Sequence, residues 1–290
     1  VCSSDLSLNI DLQENIKSLK EVVVSGTKAN QNISSAEMGS TKMEIEHIQK
    51  MPALLGEVDI IKSIQTLPGV TNVGEGASGF NVRGGNIDQN LILLDEAPIY
   101  NTSHMFGLFS LFNPDVVKDI KLMKGSIPSQ YGGRVSSVLD IRIKEGNNKK
   151  PEVTGGIGTI FSRINFEAPI IKNKASFLIA ARRSYIDILA KPFLKGDMKD
   201  VSVYFYDLNT KINYNLDSKN KLFLSGYFGQ DKFATGFKFN YGNATATLRW
   251  NHVYNSKLFS NLTAYHSRYI YFLAFNTNSY KFDWNAKILT

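Results

Sequence analysis

Residues 204–216 read YFYDLNTKINYNL. Tyr204, Tyr206, Leu208, Ile212, Tyr214 and Leu216 share one parity with Thr210, while Asp207, Asn209, Lys211, Asn213 and Asn215 fill the other. A period of two marks a strand whose side chains point alternately to opposite faces, here one apolar and aromatic and one wet. The same split recurs. Ile164, Phe166 and Ala168 oppose Arg163, Asn165 and Glu167, and Ala244, Ala246, Leu248 and Trp250 oppose Thr245, Thr247, Arg249 and Asn251. Near the end, Tyr280, Phe282, Trp284, Ala286 and Ile288 oppose Lys281, Asp283, Asn285 and Lys287. Each run is about nine to eleven residues long, the length that crosses a bilayer as a tilted strand.

The connections alternate in size as well. Short turns are expected at 171–174, 217–220 and 255–257, and longer loops near 185–200, 231–242 and 274–279. Short turns at one rim and long loops at the other describe a transmembrane barrel. A soluble β-sandwich gives the same alternation with its apolar parity turned inward. Tyr and Trp near strand ends favour the barrel with a wet lumen.

The whole chain has 290 residues, of which 43% are hydrophobic, enough to fold. Its 33 basic and 26 acidic residues give a net charge of +7. The basic residues are scattered without a tract of five, so a nucleic-acid partner is not expected. Cys2 is the sole cysteine, which excludes an internal disulfide or a thiolate metal site. His47, His104, His252 and His266 have no short-range metal spacing, and no cofactor is expected. The absence of an initiator Met and of a signal segment, with an end inside a strand-like run, leads us to expect a piece of a longer protein. The opening VCSSDL fits nothing that follows it.

Before residue 147 the texture is mixed. Residues 7–13 alternate like a single strand, Leu19–Gly26 includes the β-branched run Val22–Val24, and 27–40 is a Ser/Asn/Ala/Gly-rich linker. A small α+β domain is expected over 41–146. Ile45, Ile48 and Met51 have helical spacing, and a second helix is expected from Gly56 to Leu67, stopped by Pro68. Strands follow at 80–83, 91–95, 120–124 and 135–143, with Asn113-Pro114 reading as the cap of a short helix. Residues 74–79, GEGASG, have the G-x-G-x-x-G spacing of a dinucleotide loop. Neither a buried strand before them nor a helix after them is legible, so the glycines read as a flexible, closely packed loop.

Several separate blocks then carry a resemblance. Pro68-Gly69-Val70, Phe80–Gly85, Leu93–Asn101, Phe112–Asp115 and Lys124–Arg134 followed by Val135–Ile141 closely resemble, in order and spacing, the plug of a TonB-dependent outer-membrane receptor. One departure is Glu96, where a Gly is usual after the Asp, which puts the tight turn in question. Residues 7–18 look like the end of a carboxypeptidase-regulatory-like domain found before the plug in Bacteroidetes-type receptors. Residues 19–40 are similar to a TonB box and linker, and 147–290 resemble the first seven or eight of about twenty-two barrel strands.

The resemblance implies an importer of a scarce nutrient (siderophore, cobalamin, glycan or peptide), not an enzyme. Its partners would be TonB with ExbB and ExbD, outer-membrane lipid and, as is common for glycan receptors, a surface lipoprotein lid. Glu21, Val22, Val23 and Val24 would be the TonB contact, adding as a strand to TonB's sheet, or else an edge strand of the plug. Arg83 and Arg134 would lie between plug and wall, Glu167 being a candidate partner, or would pair within the plug. Glu75, Ser78, Tyr100, His104 and Met105 would sit on ligand-facing plug loops, with packing against the barrel interior as the other reading for Tyr100, His104 and Phe106. A passive channel or a surface adhesin remains the alternative function.

Overall fold

The computed structural model describes residues 39–51, 53, 57–74, 79–194, 201–234, 237–277 and 280–289. The expected strand at 7–13, the segment Glu21–Gly26, and Glu75 and Ser78 lie outside them. Strand β1 (Ser40–Glu44) leads into the short helix α1 (Ile45–Ile48), which sinks Ile48 completely. Helix α2 (Ile60–Gln65) starts later than the expected Gly56 because Asp59 caps it. The Asp59 carboxylate accepts from the backbone N–H of Ile61 at 2.8 Å and of Lys62 at 3.1 Å, satisfying donors that have no partner in the first turn.

Gly69, at φ +76°, then turns the chain into β2 (Val70–Asn72), which pairs antiparallel with β3 (Phe80–Val82). The G-x-G-x-x-G segment is thus flanked by two antiparallel strands, and Gly79 leads into a strand where a dinucleotide loop would open a helix. Gly79 is glycine for a backbone reason: its φ is +113°, and a Cβ there would meet Ile87 Cγ2 at 2.8 Å.

Strands β4 (Asn90–Leu94), β5 (Ala97–Pro98), the hairpin pair β6 (Ser103–His104) and β7 (Phe109–Ser110), β8 (Val117–Met123) and β9 (Ser137–Ile143) complete the domain. Its main sheet has the order β1-β8-β9-β4-β5, in which only β4 and β9 run parallel. Ile120, Leu122, Leu139 and Ile141 from this sheet close over Ile48, Ile60 and Ile64 to make the core. No helix forms at Asn113-Pro114. The Asn113 side chain accepts from Asp115 N at 2.9 Å and its carbonyl from Val116 N at 3.2 Å, a turn that delivers the chain straight into β8.

The second half is one antiparallel meander. It comprises β10 (Glu152–Ile157), β11 (Phe161–Ile171), β12 (Ala175–Ser184), helix α3 (Ile186–Ala190), β13 (Ser202–Asn215), β14 (Asn220–Ala234), β15 (Phe237–Val253), β16 (Phe259–Thr277) and β17 (Tyr280–Leu289). Each strand pairs with the next. Within the loops expected at 231–242 and 274–279, the described residues 231–234, 237–242 and 274–277 are strand, because β13 to β16 run for 14, 15, 17 and 19 residues. In β15 the apolar parity changes from Phe237, Phe239 and Tyr241 to Ala244, Ala246, Leu248 and Trp250, so no single alternation marks the whole strand.

The parity decides between barrel and sandwich. On β13, Leu208 and Ile212 are 39% and 41% exposed, whereas Asp207 and Lys211 on the other face are 2% and 4% exposed. Ile164, Phe166, Leu224, Phe228, Leu248 and Trp250 are exposed in the same way, while Asn165, Asn209, Asn213, Asn243, Thr245 and Thr247 are buried. A sandwich core would bury the opposite set. An apolar outer face with a polar inner one suits a sheet that has lipid outside and the α+β domain inside.

This inversion predicts a depth-dependent cost. Leu208→Arg, mid-strand on the apolar face, should destabilise folding into lipid vesicles by about 2–4 kcal/mol, and Leu216→Arg at the strand end by about 0–1 kcal/mol. Denaturant titration in vesicles checks this, and equal costs at the two depths would contradict a membrane-spanning β13.

Candidate functional site

The α+β domain lies against the inner face of the sheet, and the site is the polar seam between them. At its centre Arg182, from β12, is fully buried. Leu178, Ala180, Arg182 and Ser184 alternate onto the inner face of β12, so the strand's pleat places the guanidinium there. Its Nε and Nη2 donate to Asp207 Oδ2 at 2.8 and 2.7 Å, its Nη1 pairs with Glu57 of the domain, and Nη2 also donates to the carbonyls of Ser110 and Leu111 at 2.9 and 3.1 Å. One planar cation thus joins a wall carboxylate, a domain carboxylate and domain backbone, a task for which the arginine fork suits and lysine does not. Burial pushes the Glu57 carboxyl above the usual range despite Arg182 beside it.

The chain of contacts continues through His104. Its Nε2 lies 3.2 Å from Asp207 Oδ2 and its Nδ1 2.7 Å from Asp231 Oδ2, and its ring stacks on Phe205 with centroids 4.3 Å apart. Both ring nitrogens face carboxylate oxygens, so the doubly protonated ring satisfies both. Burial alone would lower its pKa, but Asp231 and Asp207 outweigh that and hold it above the ordinary histidine value. Asp231 also accepts from Met105 N at 2.7 Å, and Tyr241 OH accepts from Phe106 N at 3.2 Å.

Two further links lie along the seam. Asp95 pairs with the buried Lys211 at 2.9 Å, and Lys211 donates to Ile143 O at 2.6 Å. Asp95 and Glu96 have φ +46° and +75°, the two left-handed residues of a tight hairpin turn between β4 and β5. The turn in question at Glu96 therefore forms, and the side chain that glycine lacks is used. Glu96 accepts from Arg142 at 2.7 Å, from Arg249 of the wall at 3.1 Å, and from the Thr263 hydroxyl. Although burial raises its pKa, those three donors hold it below the usual carboxylate range.

The expected site residues fall differently. Arg83 and Arg134 are exposed and make no ion pair among the described residues, whereas the arginines that bridge to domain carboxylates come from the wall: Arg182 to Glu57, Arg163 to Asp115 at 2.7 Å and Arg249 to Glu96. Arg134 donates to Gly133 O and borders two adjacent cavities of about 530 and 600 Å³, across which it faces the wall residues Tyr265 and Tyr269. Glu167 pairs with Lys144 at 2.8 Å, not with either arginine.

His104 and Met105 are 1% and 7% exposed and packed on the wall, the arrangement of the packing reading for His104. Tyr100 is half-buried, its N–H donating to Asn243 Oδ1 at 3.3 Å, and it borders both cavities. The outward-facing ring is Phe106, 54% exposed, with Phe233, Phe239 and Tyr241 centred 4.3, 5.7 and 6.2 Å away. Among the described residues no group of His, Cys, Asp and Glu is arranged to hold a metal ion.

Residues 21–137 match the family model described as TonB-dependent Receptor Plug Domain. The chain is 24% identical over 264 residues to the rhizobactin receptor of Rhizobium meliloti (strain 1021), a match covering 81% of this chain and 34% of that receptor. It is 26% identical over 141 residues to the ferrienterobactin receptor of Escherichia coli (strain K12), covering 42% of this chain and 18% of that one. Among solved structures, the siderophore receptor PirA from Acinetobacter baumannii is similar in fold, with a TM-score of 0.64 at 16% identity over 87% of this chain and 44% of that one. The chain thus spans 34% or less of the length of these curated relatives.

Truncating Arg182 to Met leaves Glu57 buried without its nearest counter-ion and Asp207 with His104 alone, so stability in detergent should fall by about 3–5 kcal/mol. The Glu57→Gln/Arg182→Met pair should lose less than the sum of its single variants, as a double-mutant cycle reads directly. For His104 the sign follows from the raised pKa. Its contribution is complete below the unfolded value of about 6.5 and is lost as pH rises through the higher folded value. The stability gap between wild type and His104→Gln should therefore close on the alkaline side, and a gap that widens there would contradict the charged clamp.

Proposed function

Since the chain carries the plug of a TonB-dependent receptor followed by strands of its barrel, we propose that it works in the outer membrane as an energised importer. In this reading residues 41–146 are the plug, 147–290 the first barrel strands, 19–40 the TonB-contacting strand with its linker, and 1–18 the tail of a preceding β domain. The observation that supports it is the character of the seam. Plug and wall are joined by ion pairs and hydrogen bonds through Arg182, His104, Lys211 and Glu96, contacts that can break and remake one at a time. An outer membrane has no nucleotide supply of its own, so work on such a seam must come from a partner spanning the periplasm. TonB, with ExbB and ExbD, pulling on Glu21–Val24 is that partner, and the opening is an order–disorder change in the plug with no bond chemistry.

We take the cargo to be a ferric siderophore. Two curated relatives are named for rhizobactin and ferrienterobactin, and one solved structure of similar fold is a siderophore receptor. The exposed Phe106 ring over Phe233, Phe239 and Tyr241 offers a planar face on the side away from the tight turns. A surface lipoprotein lid is the partner that a glycan cargo would call for instead.

The test is calorimetric titration of the receptor with the periplasmic C-terminal domain of TonB, beside uptake of iron-loaded siderophore. Wild type should bind and import. Val23→Pro should do neither, since proline removes a ladder donor and cannot sit within an added strand. A folded receptor that passes solute without binding TonB would be a passive channel, and one that does neither would be an adhesin.

A further inference from the structure

The tight-turn rim of the sheet is unusually basic. Residues 147–152, 172–174, 216–221 and 254–258 hold seven lysines and two acids. Both acids are engaged locally: Glu152 pairs with Lys150 at 3.0 Å, and Asp217 accepts from the backbone of Lys219 and Asn220 and from the Asn220 side chain. Lys149, Lys172, Lys174, Lys219, Lys221 and Lys257 are exposed, and none of them has a carboxylate partner among the described residues.

These turns form one surface. Asn173 N donates to Asn148 O at 2.8 Å, Asn215 N to Lys174 O at 2.9 Å, and Val253 N to Lys219 O at 2.9 Å, so each turn is hydrogen-bonded to the next. Just inside them on the apolar face lies an aromatic belt. Tyr214 has Lys174 Nζ 5.5 Å from its ring centroid, and Trp250 donates from Nε1 to Asn220 Oδ1 at 3.0 Å. Tyr254, Leu258 and Phe259 are exposed beside them. The opposite rim differs: Arg183 pairs with Asp187 at 3.5 Å, and Lys232 lies over the rings of Tyr204 and Tyr206.

We propose that this rim is a binding surface for anionic glycerophospholipid headgroups. The order of layers matches such a lipid from tail to phosphate: apolar side chains, then Trp and Tyr at the depth of the ester groups, then ammonium groups at the depth of the phosphate. A lysine near the rim covers apolar surface with its stem and carries its charge outward. The proposal rests on the reading that these strands span the outer membrane, with the tight turns facing the periplasm and thus the phospholipid leaflet.

The receptor would be reconstituted in nanodiscs of phosphatidylethanolamine, with or without phosphatidylglycerol, re-extracted in mild detergent, and its retained lipid measured by mass spectrometry. Wild type should retain phosphatidylglycerol selectively. Lys172→Gln/Lys174→Gln/Lys219→Gln/Lys257→Gln should reduce that retention about tenfold or more, as should raised salt on wild type. Lys191→Gln/Lys232→Gln/Lys238→Gln, on the opposite rim, should leave it unchanged. No selectivity in wild type, an unchanged quadruple variant, or an equal loss in both variants would overturn the proposal. Wild type that enters nanodiscs but shows no selectivity refutes the rim alone. Wild type that fails to enter refutes the membrane reading and the rim with it.

Discussion

The inner face of the sheet is polar and yet sealed from water, and most of the structure follows from that constraint. A buried ion keeps its charge only where counter-charges and donors compensate several kcal/mol of lost hydration. Arg182 is the extreme case: Asp207 alone leaves part of its fork without an acceptor, and the α+β domain supplies Glu57 and the carbonyls of Ser110 and Leu111. The domain is shaped to deliver those acceptors. The late start of α2 at Ile60 leaves Glu57 ahead of its first turn, and β7 ends at Ser110 so that two successive carbonyls point at the guanidinium. Lys211 repeats the pattern with Asp95 and Ile143 O. Wall and domain are therefore complementary in charge and not merely in shape.

Four of the seven described non-glycine residues with positive φ lie at the same seam. Asp95, Glu96, Met105 and Phe106 all have positive φ, and each touches the wall through a hydrogen bond or ion pair: Lys211, Arg249 with Thr263, Asp231, and Tyr241 respectively. Such conformations cost of order 1–3 kcal/mol each for a non-glycine residue and persist only where neighbours hold them. Here the neighbours are on the other element. The bend at Met105-Phe106 turns His104 inward to the carboxylates and the Phe106 ring outward to solvent.

The architecture was legible in the chain because its physical signals are local and repeated. Alternation along 204–216 and its counterparts gave the strands and their faces, and Pro68, Gly69 and the Asn- and Lys-rich tight turns gave the stops. What local patterning could not supply was the full length of β14 to β16, since in β15 the apolar parity changes between Tyr241 and Ala244 and reads as a break. A helix at Asn113-Pro114 was expected because an Asn side chain caps helices and closes turns by the same hydrogen bond. The seam was less legible. Arg83 and Arg134 drew attention from their place in the resemblance, but Arg182 is visible only as a charge on the inner parity of β12. Its partner Glu57 is 125 residues away, and sequence pattern alone does not pair them. His104 looked like a loop residue because nothing local shows that Asp207 and Asp231 converge on it.

The position of β1 sets the mechanics of the domain. Among the described residues it is the edge strand of the main sheet, paired with β8 through five residues from Ser40 opposite Met123 to Glu44 opposite Asp119. In the reading proposed above, a pull from the N-terminal side would reach this edge before the rest of the sheet, and an edge strand can leave a sheet without parting any other pair of strands. The chain that follows would stay tied to the wall through Glu57 and Arg182, so loss of the edge and release of the domain would be separate events.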